Sequence, residues 1–175
     1  NPRVLVIFAK PKIGKTSLMA ELEDNLILDL EKGTGYINAL KIEIDNFKDI
    51  GTIINTVKEQ GCPYKYITVD TVTALEEMII PFAEQLYMNT PIGKNWLQPD
   101  GGKAKYGNFI NLPDGSAYQY IRQAFEKVIN KIKEGAPNII LVAHVKDIKL
   151  DKNGAEFNAL EIDLVGKLKR ITASN

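Results

Sequence analysis

The segment from Arg3 to Leu18 constrains the fold of this 175-residue chain more than any other part of it. It begins as an apolar, β-branched run, continues through a turn that ends in Gly14-Lys15-Thr16, and passes into a helical pattern. A strand followed by a glycine turn and a helix is typical of a phosphate-binding loop, where backbone N–H groups, a helix N-terminus and a lysine surround a polyphosphate. We therefore predict a nucleotide-binding loop, with an ordinary lysine-rich βα turn as the alternative.

The residue types in this loop suit a triphosphate and a magnesium ion. Glycine at position 14 allows close approach of the backbone to a phosphate, and Lys15 can reach the β- and γ-phosphates. Thr16 offers a hydroxyl oxygen to Mg²⁺, a hard cation that prefers oxygen ligands. The usual pattern begins with glycine where this chain has Ala9, and the methyl group weakens the match without breaking it. The residues expected to contact the nucleotide are Lys10, Pro11, Lys12, Ile13, Gly14, Lys15, Thr16 and Ser17.

Composition places the chain among ordinary globular domains. With 45% hydrophobic and 25% charged residues, residues 1–175 are expected to form a single domain. The formal net charge is zero, which gives no general electrostatic support for nonspecific nucleic-acid binding. The single Cys62 excludes an internal disulfide, and no apolar run is long enough to span a bilayer. We expect a cytoplasmic protein, and because the sequence begins without methionine we expect a trimmed chain.

Strand and helix patterns alternate along the sequence. Besides the strand before the loop, strands are predicted at 25–31, 64–70 and 138–143, with a weaker extended piece at 40–44. Helices are predicted at 15–24, 46–60, 72–88 and 116–134, and Asp45 is expected to cap the second. A hairpin is predicted from 145–150 and 157–162, with Asp151-Lys152-Asn153-Gly154 as its turn, and 89–115 is expected to be one long irregular loop. This order predicts a three-layer α/β fold with a mostly parallel central sheet and a C-terminal β-hairpin.

Polar residues stand at the ends of predicted strands, where ligands bind in such sheets. Asp70 ends one strand in the Walker B arrangement, in which a carboxylate holds Mg²⁺; the alternative is an aspartate that caps the next helix. Many ATPases place glutamate directly after this aspartate as the base that polarises water, but this chain has Thr71. If the chain hydrolyses ATP, its base must come from elsewhere.

Glu31 is the best candidate for that base, because it ends the strand that follows the loop helix and precedes glycines. The alternative is a solvated glutamate beside Lys32. Glu76 and Glu77 lie further into a helix and are expected at the surface. His144 is the only histidine and follows another strand, where it could sense the γ-phosphate or serve a structural role.

Four segments of the chain together carry a family resemblance. They read A-K-P-K-I-G-K-T-S, L-D-L-E-K-G, Y-I-T-V-D-T-V-T-A-L and I-I-L-V-A-H-V-K-D. With the hairpin that follows, they resemble the RecA-type ATPase core, and most closely the compact RecA-like ATPases of phages linked to single-strand annealing and recombination. The resemblance covers nearly the whole chain and implies a catalytic role for Glu31, metal binding by Asp70 and a sensor role for His144. Relatives usually continue with a further strand and helix, so we expect a chain truncated at its C-terminus.

The resemblance also implies partners. RecA-type ATPases form rings or filaments in which a basic residue of one subunit reaches the nucleotide of the next. The candidates for that residue are Lys146, Lys149, Lys167, Lys169 and Arg170. Single-stranded DNA is a candidate partner, at the hairpin or at the cations and aromatic residues of 89–115. These are Lys94, Trp96, Lys103, Lys105, Tyr106 and Phe109. The alternative for 89–115 is a lid or partner-binding loop whose aromatic side chains pack on the domain.

The leading hypothesis is an oligomeric, Mg²⁺-dependent ATPase that acts in DNA recombination, single-strand annealing or replication, in the host cytoplasm if a phage encodes it. Its predicted catalytic residues are Lys15, Glu31 and His144, its metal ligands are Thr16 and Asp70, and its cofactors are ATP and Mg²⁺. One alternative is a nucleotide-binding module of an assembly, with little or no hydrolysis. A less favoured one is a small-molecule kinase, which would need an arginine-bearing lid that 89–115 does not supply.

Overall fold

The computed structural model of the chain describes residues 3–32, 38–152 and 155–162. The strands are β1 (Arg3–Ala9), β2 (Asn25–Asp29), β3 (Lys41–Glu43), β4 (Tyr66–Asp70), β5 (Asn138–Lys152) and β6 (Ala155–Ile162). The helices are α1 (Lys15–Ala20), α2 (Phe47–Glu59), α3 (Val72–Met78), α4 (Ile80–Met88), α5 (Gly102–Tyr106) and α6 (Ser116–Ile132). Single turns of 3₁₀ helix lie at Gly93–Asn95, Phe109–Asn111 and Pro113–Gly115.

Five strands form a parallel sheet in the order β1-β5-β4-β2-β3, and β6 returns antiparallel along β5. Val145 lies opposite Ile162 and Leu150 lies opposite Phe157, as the predicted hairpin requires. The predicted α/β fold, with a mostly parallel sheet and a C-terminal hairpin, is therefore confirmed. The strand at 138–143 and the first arm of the hairpin are one continuous strand, and residues 153 and 154 of the predicted turn lie outside the described residues.

The register of the parallel strands brings the ends of β1, β2 and β4, and the point at which β5 leaves the parallel sheet, to one edge. Asp29 of β2 is paired with Asp70 of β4, and Ala9 of β1 is paired with His144 of β5. Because parallel strands all point the same way, the segments that follow these residues leave the sheet at the same edge. The phosphate loop and the three candidate polar residues therefore share one end of the molecule.

The two faces of the sheet are covered unequally. On one face the short helix α1 packs Met19 against Ile27, Ile140 and Val142. On the other face α2, α3, α4 and α6 pack on the sheet in one continuous core. Strands β2 and β4 are buried on both faces, which explains their apolar, non-alternating sequences. Among the described residues, no helix is both long enough and apolar enough to cross a membrane.

The start of α2 differs from the prediction. Asn46 caps the helix instead of Asp45, and its side chain accepts the N–H of Lys48 at 2.9 Å. The carboxylate of Asp49 accepts the N–H of Asn46 at 3.1 Å, which completes a capping box. A capping box needs an acidic or amide side chain three residues after the cap. Three residues after Asp45 stands Lys48, which cannot accept the N–H of a cap residue, whereas three residues after Asn46 stands Asp49. Asn46 is therefore the cap.

Other element boundaries also differ from the prediction. The helix predicted at 72–88 is two helices, α3 and α4, because Pro81 in the first turn of α4 has no N–H with which to continue α3. Helix α1 ends at Ala20 and not at Asp24, and β2 ends at Asp29, two residues before Glu31. Glu31 therefore lies in the connection after the strand.

The segment at 89–115 carries α5 and the three 3₁₀ turns, and its large aromatic side chains pack into the core. Trp96 is 1% exposed and Phe109 is 2% exposed. Their rings lie 5.7 and 5.9 Å from the ring of Tyr87, centroid to centroid. Gly93 permits this packing, because a Cβ atom there would lie 1.9 Å from the carbonyl oxygen of Tyr87. The alternative interpretation of this segment, aromatic packing on the domain, holds for Trp96 and Phe109, and these two residues are not available to stack on DNA bases.

Candidate nucleotide site

The phosphate loop lies between β1 and α1 and depends on left-handed backbone at two positions. Gly14 has φ 91° and ψ 18° and immediately precedes α1, and Lys12 has φ 63°. A Cβ atom at Gly14 would meet no atom within 4 Å, so glycine is required there by its positive φ and not by crowding. Ala9 is the last residue of β1, paired with His144, and does not have a positive φ. Strand geometry suits alanine, which explains why glycine is not needed at Ala9.

Lys15 folds back over the loop that precedes it. Its Nζ donates hydrogen bonds to the carbonyl oxygens of Lys10 at 2.8 Å and Ala9 at 3.1 Å, and the residue is 9% exposed. The other predicted contact residues differ in accessibility. Residues 10–14 and Ser17 are exposed, and Thr16 is partly buried. The ammonium group thus lies beneath a loop whose outer surface is open to solvent.

Thr16 and Asp70 are in direct contact, although 54 positions separate them in the sequence. The Thr16 hydroxyl donates a hydrogen bond to the Asp70 carboxylate. Burial raises the pKa of Asp70 above its usual value, and the hydrogen bond from Thr16 opposes this effect. The nearby carboxylates of Glu31 and Asp29 raise the pKa further, while Lys15 lowers it. Asp70 is therefore a buried carboxylate in a region of concentrated negative charge.

The chain after β2 turns sharply, and this turn places Glu31. The Asp29 carboxylate accepts the N–H groups of Glu31 at 3.2 Å and Lys32 at 2.8 Å, and Lys32 has φ 56°. The N–H of Leu30 donates to the carbonyl oxygen of Asp70 at 2.8 Å, so the turn is attached to the end of β4. The side chain of Glu31 is 37% exposed. It is held next to the Asp70 region and still reaches solvent.

One oxygen of Glu31 lies close both to Thr71, which follows β4, and to His144, which lies within β5. The Thr71 hydroxyl donates to its Oε1 at 2.7 Å, and the Nε2 of His144 lies 3.4 Å from that oxygen. The main-chain N–H of His144 donates to the Thr73 hydroxyl at 3.2 Å, which joins the middle of β5 to the first turn of α3. The structure thus brings together the predicted base, the predicted sensor and the segment after Asp70.

A family model described as an AAA domain matches residues 1–173. The chain belongs to the AAA-domain family. No curated protein matches the chain. This AAA domain has the α/β fold with five parallel strands that is expected of a RecA-like P-loop protein, and its family is one of nucleotide-binding ATPases.

The AAA domain offers Mg²⁺ a suitable but incomplete set of ligands. The Thr16 hydroxyl and the Asp70 carboxylate are hard oxygen donors that face each other, and the surrounding negative charge favours a divalent cation. Among the described residues there is no group of three or more His, Cys, Asp and Glu side chains that could hold a metal. Mg²⁺ usually keeps several waters and takes only one or two protein ligands plus substrate phosphates, so the pair fits this ion.

Two residues of the AAA domain's site do not follow from the sequence patterns described above. The pattern around Asp29 indicates only a strand. An aspartate at the start of a turn can, however, accept hydrogen bonds from backbone N–H groups two or three residues later, as Asp29 does here. At Thr71 the pattern indicates only the absence of a glutamate, whereas its hydroxyl contacts Glu31. The expected surface position of Glu76 is wrong: it is 6% exposed, while Glu77 is exposed as predicted.

Proposed function

We propose that this chain is an Mg²⁺-dependent ATPase that binds the phosphates of ATP on residues 10–17. The observation that supports this most is the contact between the Thr16 hydroxyl and the Asp70 carboxylate, with Glu31 and His144 at the same edge of the sheet. The same edge therefore carries a loop lysine, two oxygen donors for a cation and a carboxylate that reaches solvent. These are the parts that phosphoryl transfer to water requires.

Each group has a definite task in this proposal. Lys15 neutralises the β- and γ-phosphate oxygens, and Thr16 and Asp70 would hold a Mg²⁺ ion that would supply further positive charge to the phosphates. Glu31 orients a water molecule and takes its proton as the water oxygen bonds to the γ-phosphorus and the bond to the β-phosphate oxygen breaks. His144, beside the Oε1 of Glu31, responds to the loss of the γ-phosphate.

We further propose that the ATPase acts in phage-type DNA recombination, single-strand annealing or replication, as a homo-oligomer. Support comes from the RecA-type motifs and from the exposed cations of the segment at 89–115, which are Lys94, Lys103 and Lys105. Strand β5 also continues beyond the parallel sheet into a hairpin that could contact single-stranded DNA. Among the candidates for a basic residue acting in trans, Lys146 is exposed, and the side chain of Lys149 lies outside the described part. So do Lys167, Lys169 and Arg170.

ATP turnover with Mg²⁺, and with the ion removed by EDTA, tests the enzymatic part of the proposal. The parent should hydrolyse ATP only with Mg²⁺. Lys15→Ala should lose nucleotide binding, and Glu31→Gln should bind ATP but turn it over at least ~100-fold more slowly. Lys48→Ala and Glu59→Gln are matched controls on exposed positions of α2 and should behave as the parent does. Normal turnover by Glu31→Gln would show that another group is the base.

The same preparation distinguishes the other classes of function. ATP binding without turnover under any condition would support a nucleotide-binding module, and transfer of phosphate to a metabolite would support a kinase. Single-stranded DNA should stimulate turnover, and simultaneous replacement of Lys94, Lys103 and Lys105 by alanine should weaken DNA binding and reduce its salt dependence. Sedimentation with and without ATP tests the oligomer, and a strictly monomeric protein would contradict that part.

A further inference from the structure

Thr71 makes two hydrogen bonds with one hydroxyl, and their directions are fixed. The residue is fully buried, and its Oγ1 accepts the N–H of Ala74 at 3.2 Å as the cap of α3. The same Oγ1 lies 2.7 Å from the Oε1 of Glu31. A hydroxyl has one proton, and an N–H group can only donate. The Thr71 proton is therefore available for Glu31, whose Oε1 accepts the hydrogen bond.

The position of Glu31 makes such a contact necessary for accurate geometry. Its side chain is 37% exposed and follows the end of β2, and an unrestrained glutamate side chain loses rotamer freedom when it is fixed. The turn at Asp29 orders the backbone of Glu31 but does not order its carboxylate. Thr71 is buried and fixed to a helix, so it provides a rigid donor. The 3.4 Å approach of His144 is to the same oxygen and is longer.

We infer that Thr71 is the positioning residue of Glu31: it holds Oε1, so that the second carboxylate oxygen is the one that orients the attacking water. The inference rests on the proposed ATPase function and deepens it. Thr71 stands at the position where many ATPases carry the catalytic base. Here it supports a different base, Glu31, which the segment after β2 supplies. The register that pairs Asp29 with Asp70 makes this possible, because it brings the residues that follow β2 and β4 side by side.

Thr71→Val and Thr71→Ser test this inference in the full chain. Valine keeps the size of threonine but cannot donate, so kcat for ATP should fall ~10–100-fold while KM changes less than threefold, since misplacement of a reacting group by about 1 Å can cost ~100-fold in rate. Serine keeps the hydroxyl and should retain at least a third of the parent kcat. Thr68→Val is the matched control. Thr68 lies on β4 and is fully buried, as Thr71 is, but its hydroxyl donates to Asn25 at 2.9 Å and not to Glu31. Its kcat should equal that of the parent.

A double-mutant cycle separates positioning from a loss of stability. If Thr71 acts through Glu31, Thr71→Val should cause less than a twofold further loss in the Glu31→Gln background. Thermal unfolding and nucleotide binding are measured for each variant to determine the fraction of folded protein. Each kcat is then expressed per folded molecule. If Thr71→Val makes the chain unfold, Thr71→Ala replaces it, because alanine also cannot donate to Glu31 and adds no bulk or charge beside it.

The outcomes distinguish this inference from the function on which it rests. If the parent shows no turnover, or if Glu31→Gln turns over normally, the proposed function fails and the inference fails with it. If Glu31→Gln is inactive but Thr71→Val keeps the parent kcat, only the inference is overturned. Multiplicative losses in the double variant, or a serine variant as slow as the valine variant, would overturn it as well.

Discussion

At the scale of the residue, Asp70 combines its proposed role in metal binding with a cost in stability. Burial raises its pKa, so the folded state favours the neutral carboxyl group more than the unfolded state does. The contribution of a group with a raised pKa is fully present below the pKa of the unfolded chain, 3.8, and is lost as pH rises through the folded pKa. At neutral pH, without a cation, the ionised Asp70 therefore destabilises the fold.

Asp70→Asn should consequently stabilise the metal-free protein at pH 7, because it removes a buried charge and keeps an acceptor for Thr16. The gain should shrink as the pH approaches 4, and Mg²⁺-dependent turnover should be lost. Urea unfolding at pH 4 and pH 7 measures the difference. Asp100→Asn, at an exposed position, is the control and should change neither property. A destabilised Asp70→Asn at pH 7 would contradict this account.

Replacement of glycine by alanine should have opposite effects on stability at Gly51 and at Gly93. Gly51 lies inside α2, and a Cβ atom added there would meet no atom within 4 Å, so Gly51→Ala should stabilise the chain by about 0.5–1 kcal/mol through the helix preference of alanine. Gly93→Ala should destabilise it by about 1–3 kcal/mol, because the new Cβ would overlap the Tyr87 carbonyl oxygen. Thermal and urea unfolding of both variants test the pair, and equal effects would show that the packing around Gly93 adapts.

At the scale of the element, α2 and α6 are connected at their ends by charge. Glu134 follows α6 and contacts Lys58 of α2 at 2.7 Å and Lys131 of α6 at 2.9 Å. The hydrogen bond from Lys58, followed by that from Lys131, lowers the pKa of Glu134 to about 2. For an acid with a lowered pKa, the stabilisation is present above the unfolded value of 4.5 and is lost as pH falls toward about 2.

Glu134→Gln should therefore flatten the acid limb of the stability curve. Between pH 4.5 and pH 2 the melting temperature of the parent should fall more steeply than that of the variant, and 0.5 M salt should narrow the difference because exposed charges are screened. Glu126→Gln, on an exposed position of α6, is the matched control and should follow the parent. Parallel curves for parent and Glu134→Gln at low salt would contradict the proposed role of this pair of contacts.

The elements themselves were predictable to the extent that local chemistry decides them. The strand, glycine turn and helix at the N-terminus follow from residue order alone, and the hairpin follows from its Asn-Gly turn signal. The boundary between α3 and α4 could have been placed from Pro81, since proline marks a first helical turn. The choice of Asn46 over Asp45 also had a local signal in Asp49. The packing of 89–115 had none, because burial of Trp96 depends on how the segment folds back onto Tyr87 of α4 and brings Phe109 against the same ring.

At the scale of the whole molecule, the sheet order predicts a gradient of protection. Strand β4 lies between β5 and β2, whereas β1 pairs only with β5 among the described strands. Arg3 donates its N–H toward the β5 side, so by strand alternation the amides of Val4, Val6 and Phe8 point away from β5. In hydrogen exchange, these three should exchange much faster than the amides of β4. Equal protection would show that β1 is paired on both sides in solution.

The candidate site shows where prediction from sequence ends. Glu31, Asp70 and His144 could be selected because each follows an apolar strand, and the carboxyl ends of parallel strands meet at one edge. The partners that hold them could not be selected in this way. The contact of Thr71 with Glu31 depends on which strands are neighbours and on their register, and no local pattern records that β2 lies beside β4.

The fold of Lys15 over its own loop has a consequence for affinity. A lysine side chain carries about 2 kcal/mol of rotamer entropy, and a freely moving one would lose this when a ligand bound. Here the side chain is already ordered by the carbonyl oxygens of Ala9 and Lys10 and is largely removed from water. That loss is therefore incurred when the chain folds, and in the proposed function it would not recur when a phosphate arrives, so preorganisation of this one cation would contribute to binding before any new contact forms.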